Sequence, residues 1–319
     1  MILSWWIDLK REYVALIGAF LIAIVAFSAF YVYNARPAAA APNRIKVLAT
    51  FYPVYDFAKN VGSDRIDLSL LVPMTVDVHE FEPTPSSVQE VVSANVLIFS
   101  GAGLEPWVPQ IVAAADNPGL VVVDSSQGIA LLPVPPAFQK DNRTVDPHIW
   151  LDPLLAKQQV MNILQGLIKA DPADRDYFTA NAQAYTSKLD VLNSEILNVT
   201  AHAKTRYFVT LHEAFAYFAK RYNLTQIPIA GPFEEEPSPS DIQYVITAIQ
   251  QYHLCYVGYE SLSNPALSQS IAVQTHAKLV LMDPIEGLTQ SDQTAGKTYL
   301  TKMQDNLAVF ALALNNVGC

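Results

Sequence analysis

Two kinds of apolar pattern alternate along most of the chain. Short β-branched runs bounded by turn residues indicate buried strands, and longer stretches with apolar residues every three or four positions indicate helices. The predicted strands of the first half are Ile45–Thr50, Ile66–Val72, Val96–Ser100 and Leu120–Val123. Those of the second half are Tyr207–Leu211, Gln226–Ala230, Tyr256–Glu260 and Leu279–Met282. Strands that alternate with helices predict parallel sheets covered on both faces.

A long amphipathic segment separates the two halves. Asp171 and Pro172 make a favourable helix start, because Asp can cap the first turn and Pro fits the first helical position. From Phe178 to Val199, apolar residues recur at alternating spacings of four and three, which places them in one stripe. We therefore predict an α/β protein of two lobes, each a roughly four-stranded parallel sheet flanked by helices, joined by one long rigid helix. The predicted ranges are 44–170 for the N-terminal lobe, 171–203 for the linking helix and 204–319 for the C-terminal lobe.

An apolar run without any charge, Tyr13 to Tyr33, precedes the lobes. As a helix rising 1.5 Å per residue it would cross the hydrocarbon core of a bilayer, which is about 30 Å thick. We predict a cytoplasmic N-terminus at 1–12, an N-terminal transmembrane helix as anchor at 13–33 and an Ala/Pro stalk at 34–43. The lobes would then lie on the extracytoplasmic face of the cell membrane. The alternative is a cleaved segment, with Ala38–Ala40 as the cleavage site.

Charge and cysteine content exclude some classes of protein. The formal net charge of −10 argues against nucleic acid as a partner, because phosphates require a basic surface. Two cysteines are too few for a thiolate cluster holding zinc or iron–sulfur, which takes about four. Thiols oxidise outside the cytoplasm, so we predict a disulfide between Cys255 and Cys319, with two free thiols as the alternative.

Three of the six histidines, and one aspartate, follow predicted strands along the chain. They are His79 in DVHEFEPTP, His148 in VDPHIWLDP, His212 in FVTLHEAFAYF and Asp283 in LVLMDP. Ligands of open α/β sheets bind beyond the carboxyl ends of strands, so two of these residues from each lobe would meet if the lobes face each other. Imidazole nitrogens with a carboxylate oxygen suit zinc or another divalent transition metal. Glu260, also at a strand end, is an additional candidate.

Two other classes of protein remain open on these residues alone. A zinc hydrolase would use three protein ligands and an open position for water, with Glu80 or Glu213 as general base. Its simplest signature, H-E-x-x-H, is missing after His212, and the two acids are more simply interpreted as hydrogen-bonding or surface groups. A helix-linked binder of chelated iron or cobalamin would have the same architecture but would not require this ligand set. The acidic run Glu234–Glu236 is interpreted as a solvated loop.

Five phrases of the chain resemble the solute-binding proteins of zinc and manganese ABC importers, a helix-linked two-lobe family that includes metal-binding lipoprotein adhesins. They are HEFEPTP at 79–85, SGAGLEPWV at 100–108, DPHIWLDP at 146–153, TLHEAFAYF at 210–218 and LMDP at 281–284, and the resemblance extends over residues 44–319. It implies metal positions at His79, His148, His212 and Asp283. In this family His at the third position accompanies zinc, whereas Glu accompanies manganese or iron, so His212 indicates zinc.

The resemblance also implies a function. The protein would not be an enzyme. It would capture Zn²⁺ between its lobes, with Mn²⁺ or iron as the alternative, and deliver the ion to an ABC-transporter permease in the membrane. The stretch from Asp116 to Val145 contains no histidine, so the His-rich loop of many zinc-type members is not expected.

Overall fold

The computed structural model describes residues 13–14, 16–28, 44–134, 138–139 and 143–318. Contacts divide the chain into two units, 1–43 and 44–319. The described part of the first unit is helical and largely exposed. Within the described residues, no helix combines the length and the hydropathy that crossing a membrane requires. Residues 1–12, 15 and 29–43 lie outside the described residues, so the N-terminus, anchor and stalk remain predictions.

Two parallel sheets, each of four strands, form the framework of the described residues from 44 to 318. The first sheet has the strand order β2-β1-β3-β4, with β1 Ile45–Ala49, β2 Ile66–Leu70, β3 Val96–Phe99 and β4 Val121–Asp124. The second has the order β6-β5-β7-β8, with β5 Tyr207–His212, β6 Thr225–Ala230, β7 Tyr256–Tyr259 and β8 Lys278–Leu281. Every pair of neighbouring strands is parallel, which confirms the predicted sheets.

Helices connect the strands and cover the sheets. They are α1 Tyr52–Gly62, α2 Pro85–Ser93, α3 Val108–Ala115, α4 Pro153–Ala170, α5 Arg175–Ala201, α6 Ala216–Arg221, α7 Pro239–Gln251, α8 Ala266–Thr275, α9 Gln290–Thr294 and α10 Tyr299–Asn315. Several begin with a polar cap followed by Pro, a combination that satisfies free amides and fixes the first turn. At α4, for example, Asp152 accepts hydrogen bonds from the amides of Leu154 and Leu155.

The long helix α5 joins the two sheets. It starts later than predicted, because Pro172–Asp174 forms a 3-10 turn and the α-helix begins at Arg175. Its 27 residues span about 40 Å. The predicted apolar stripe is buried from Phe178 to Ile196 and packs against α1, α4 and α10. The helix is thus held by elements that precede it and by the last helix of the chain.

The main apolar core continues from the first sheet through α5 into the second half of the chain. Trp150 belongs to this core, is fully buried, and meets Phe51 edge-on at 4.9 Å between ring centroids. Met282 and Ile285, in the loop after β8, belong to the same core. A separate apolar cluster fills the rest of the second sheet. The core therefore holds segments of both halves of the chain in place, among them the segment around Trp150 and the loop after β8.

The last described residues of the chain lie beside the start of β7. Leu254 and Val317 form an isolated antiparallel bridge, and the Gly318 amide donates to the carbonyl of His253. Cys255 is buried and is not a free thiol. Cys319 lies outside the described residues, so its pairing with Cys255 stays a prediction.

Candidate metal centre

The three predicted histidines lie together, and Glu286 lies with them. One potential ligand atom from each of these four residues lies within 4.8 Å of all the others. Glu286 Oε1 is 3.2 Å from His79 Nε2, 3.3 Å from His148 Nε2 and 3.6 Å from His212 Nε2. The Nε2 atoms of His148 and His212 are 3.2 Å apart. Four donor atoms therefore face one small volume.

The carboxyl end of one strand and loops that follow other strands supply these side chains. His79 lies in the segment after β2, and His148 immediately precedes the 3-10 turn Ile149–Leu151. His212 is the last residue of β5, and Glu286 lies in the segment between β8 and α9. This is the edge at which open α/β sheets bind their ligands.

Carboxylates fix the orientation of two of the three imidazoles. His148 Nδ1 is 2.9 Å from Asp146 Oδ1, and His212 Nδ1 is 2.8 Å from Glu260 Oε1. A carboxylate at Nδ1 keeps the proton on that nitrogen and leaves the Nε2 lone pair for a metal. The Nδ1 of His79 is buried and has no hydrogen-bond partner among the described residues. Glu260, the additional ligand candidate, thus contacts the far side of His212 from the cluster.

Glu286 and two of the imidazoles shift one another's pKa values. Burial raises the pKa of the Glu286 carboxyl, but the charge of His79 and hydrogen bonds from His148 and His212 hold it well below its usual value. Burial lowers the pKa of His212, but Glu260 and Glu286 raise it well above its usual value. The pKa of His148 is also raised, because Asp146 and Glu286 outweigh its burial. A metal ion must therefore displace protons from these imidazoles.

Asp283 does not join the cluster. Its carboxylate forms an ion pair with Lys302 Nζ at 2.6 Å and accepts hydrogen bonds from Ser261 Oγ at 2.6 Å and from the Ile285 amide at 2.7 Å. The structure thus places Asp283 apart from the three histidines and Glu286 beside them. The physical reason is the turn after β8, which directs Asp283 to a lysine and Glu286 to the histidines. Glu286 was recognisable in the sequence only as the next acidic residue of the same loop.

A further acid that the sequence interpretation placed in solvent lies at the centre's edge. Glu234 Oε1 is 3.5 Å from His212 Nδ1, and the Glu234 side chain is only 23% exposed. Burial raises the pKa of Glu234 to about 9, against the effect of His212. Burial likewise raises the pKa of Glu213, beside His212 in sequence, to about 7.

Comparison with known proteins places this geometry in context. The family model described as "ZnuA: Zinc-uptake complex component A periplasmic" matches residues 47–313. The "High-affinity zinc uptake system protein ZnuA" of Bacillus subtilis strain 168 is 30% identical over 274 residues, which cover 83% of this chain and 86% of the relative. The "Zinc-binding lipoprotein AdcA" of Streptococcus pneumoniae serotype 4 is 29% identical over 287 residues. These cover 87% of this chain but only 57% of that relative, so this chain spans little more than half of its length.

Solved structures agree with the fold. The Zn(II)-bound ZnuA-like domain of Streptococcus pneumoniae AdcA matches with a TM-score of 0.75 and 28% identity, over 86% of this chain and 100% of that chain. The laminin-binding protein of Streptococcus agalactiae, described as bifunctional with adhesin and metal transporting activity, matches with a TM-score of 0.76 and 29% identity. That match covers 86% of this chain and 100% of the other.

Proposed function

Because this chain belongs to the family of periplasmic zinc-uptake component A proteins, we propose that it is the extracytoplasmic zinc-binding component of an ABC-type importer. In this proposal it captures one ion between its two lobes and delivers the ion to a permease in the membrane. The cluster of three imidazoles and one carboxylate carries the proposal. Two of its members come from each half of the chain, so the ion would bridge the lobes.

The donor set supports zinc as the ion. Zinc in closed protein sites is four-coordinate and takes imidazole nitrogen and carboxylate oxygen, the donors of His79, His148, His212 and Glu286. Manganese prefers oxygen donors, so three nitrogens disfavour it. The relatives whose names specify zinc agree with this choice.

The same donors support capture rather than catalysis. Four protein ligands complete a tetrahedral shell, whereas catalytic zinc keeps a position open for water or substrate. Glu80, one of the two candidate general bases, is exposed, and neither it nor Glu213 belongs to the described group of ligand atoms. We therefore propose a transport component without enzymatic activity.

Metal titration of the purified full-length protein tests the proposal. Competition with a chromophoric chelator is expected to show one zinc ion per chain, and His148→Ala is expected to weaken binding strongly. His202→Ala is the matched control, because His202 is exposed at the end of α5 and outside the cluster. Equal affinities of the His148→Ala and wild-type proteins would refute the site.

For its location we propose the extracytoplasmic side, held by the N-terminal anchor at 13–33. The word "periplasmic" in the name of the family and the word "lipoprotein" in the name of a relative support the extracytoplasmic side. The apolar run from Tyr13 to Tyr33 supports the anchor. We also propose 44–170, 171–203 and 204–319 as lobe, linker and lobe, in line with α5 at Arg175–Ala201. Membrane fractionation after an alkaline wash tests the anchor, since a protein without an anchor would be released.

We propose the Cys255–Cys319 disulfide as part of the same picture. The bridge between Leu254 and Val317 and the hydrogen bond from Gly318 to His253 bring the described end of the chain beside Cys255. In denaturant without reductant, protein taken from its native compartment is expected to show no reactive thiol. Two reactive thiols would refute the pairing.

A further inference from the structure

The turn that carries Glu286 has an unfavourable backbone conformation. Ile285 has φ of +61° and is fully buried. Left-handed backbone is rare for a β-branched residue, because its side chain collides with its own main chain, and such strain persists only where the surroundings enforce it. Glu286 is the next residue, so the direction of its side chain depends on this conformation.

Contacts from the last helix hold the start of the turn. Lys302 of α10 pairs with the Asp283 carboxylate at 2.6 Å, and the Asp283 carboxylate in turn accepts the hydrogen bond from the Ile285 amide. One helical turn further on, Asn306 donates to the Asp283 carbonyl at 2.6 Å and accepts from the Asp283 amide at 2.9 Å. The strained residue is thus bonded to a carboxylate that α10 holds in place.

Contacts from the first half of the chain hold the other side of the turn. Trp150 Nε1 donates to the Pro284 carbonyl at 2.7 Å, and the Leu288 amide donates to the Met74 carbonyl at 2.8 Å. A Cβ on Gly287 would lie 2.1 Å from the Met74 oxygen, so this close approach requires glycine. With both sides of the turn fixed, Glu286 has little freedom to leave the histidines.

The burial of the Asp283–Lys302 ion pair indicates a role in fixing the geometry of the turn in addition to any role in stability. Both side chains are less than 5% exposed. Removing two charges from water is costly, and a buried ion pair often stabilises a protein no more than apolar residues of the same size. A binding site, in contrast, requires its ligands to be held within about 0.5 Å of the productive geometry.

We infer that Asp283 and Lys302 are positioning residues, which hold the turn at Ile285 so that the Glu286 carboxylate is directed at the ion. The inference rests on the proposed function, since it assigns to Glu286 the role of a metal ligand. Neither positioning residue belongs to the group of possible ligand atoms. Both act through the backbone of the turn.

A double-mutant cycle on the full-length protein tests this role. Lys302→Met keeps the length of the side chain and removes its charge, and we expect a loss of zinc affinity of about 10- to 100-fold, as for other groups that orient metal ligands. In Glu286→Gln, where the oriented ligand is already impaired, Lys302→Met is expected to change the affinity by less than about threefold, since two changes acting through one group are not additive. Lys297→Met is the matched control, because Lys297 forms an exposed ion pair with Asp305 outside the turn.

The outcomes separate the two proposals. An equal loss from Lys302→Met in both backgrounds would overturn the positioning role alone, whereas a Glu286→Gln protein with wild-type affinity would overturn the ligand as well. If Lys302→Met fails to fold, Asn306→Ala replaces it, because it removes two hydrogen bonds to Asp283 without leaving a charge unpaired. Cobalt(II) gives a second measurement. The visible spectrum of the cobalt(II)-loaded Lys302→Met or Asn306→Ala protein is expected to differ from that of wild type and to shift toward that of Glu286→Gln. A spectrum identical to that of wild type would count against the positioning role.

Discussion

A buried carboxyl group in the first lobe should make the stability of the protein depend on pH. Glu105 is 4% exposed. Its Oε1 accepts hydrogen bonds from Thr50 Oγ1 at 2.6 Å and the Ser100 amide at 2.8 Å, and its Oε2 accepts from the Gly101 amide at 3.1 Å. Burial raises the pKa of this carboxyl from 4.5 to about 7, although these three bonds oppose the rise.

The sign and size of the effect follow from that pKa. Below pH 4.5 the group is protonated in both the folded and the unfolded chain and contributes nothing to the pH dependence. Between pH 4.5 and about 7 the folded chain keeps a proton that the unfolded chain has lost, so stability falls as the pH rises. Above pH 7 the accumulated loss is about 3 kcal/mol.

Glu105→Gln isolates this contribution, because glutamine has the same shape and does not titrate. Its NH₂ group would face the Gly101 amide, a clash of two donors that costs about 1–3 kcal/mol at every pH. We measure the unfolding free energy of both proteins by urea denaturation with the metal removed. The difference, variant minus wild type, is expected to increase by about 3 kcal/mol between pH 4.5 and 8. Metal-site histidines titrate in both proteins and cancel in the difference. A difference that stays constant with pH would refute a raised pKa for Glu105.

Three further predictions concern the metal centre. His212→Glu should shift the preference from zinc toward manganese, because a harder oxygen donor replaces nitrogen, and competition titrations with both ions check this. Glu260→Gln should lower zinc affinity by about 10- to 100-fold, since His212 loses the carboxylate that holds its proton on Nδ1, and the same variant should not change the number of ions bound. Zinc affinity should fall as the pH drops, with more than one proton taken up per ion released. Because the pKa values of His148 and His212 are raised in the metal-free protein, the fall should already begin above the usual imidazole value of about 6.5. A titration that is flat between pH 5 and 7.5 would show that the histidines are not the ligands.

Sequence patterns predicted the architecture because each strand is a short apolar run and each linking segment has helical periodicity. The three histidines were predictable for a similar reason. They follow strands, and the carboxyl edge of a parallel sheet gathers whatever polar groups follow its strands. The orienting acid Asp146 could also have been noticed, since it lies two residues before His148 in the same phrase.

The position of Glu286 beside the histidines was not predictable from this reasoning. The strand-end rule selects Asp283, the first acid after β8, and in the structure that residue faces Lys302. Whether Asp283 or Glu286 faces the cleft depends on the left-handed backbone at Ile285, and the sequence pattern argues against such a conformation at a β-branched residue. Contacts from α10 and Trp150 enforce it, and these depend on segments distant along the chain. The start of α5 at Arg175 differs from the predicted start at Asp171, because Asp171 caps a 3-10 turn and not the α-helix itself.

The continuity of the main core determines how the protein can come apart. Side chains from the first sheet, from α5 and from the loop after β8 share one apolar interior, which includes Trp150. Separating the lobes would expose that interior to water, so we expect the two lobes to unfold together although the second sheet also has an apolar cluster of its own. Thermal unfolding of residues 44–318 should thus be a single cooperative transition, for which the calorimetric and van't Hoff enthalpies are equal. Binding and release of the metal ion by the folded protein are then expected to depend on movements of the loops at the sheet edges, since these loops can move without opening the shared interior.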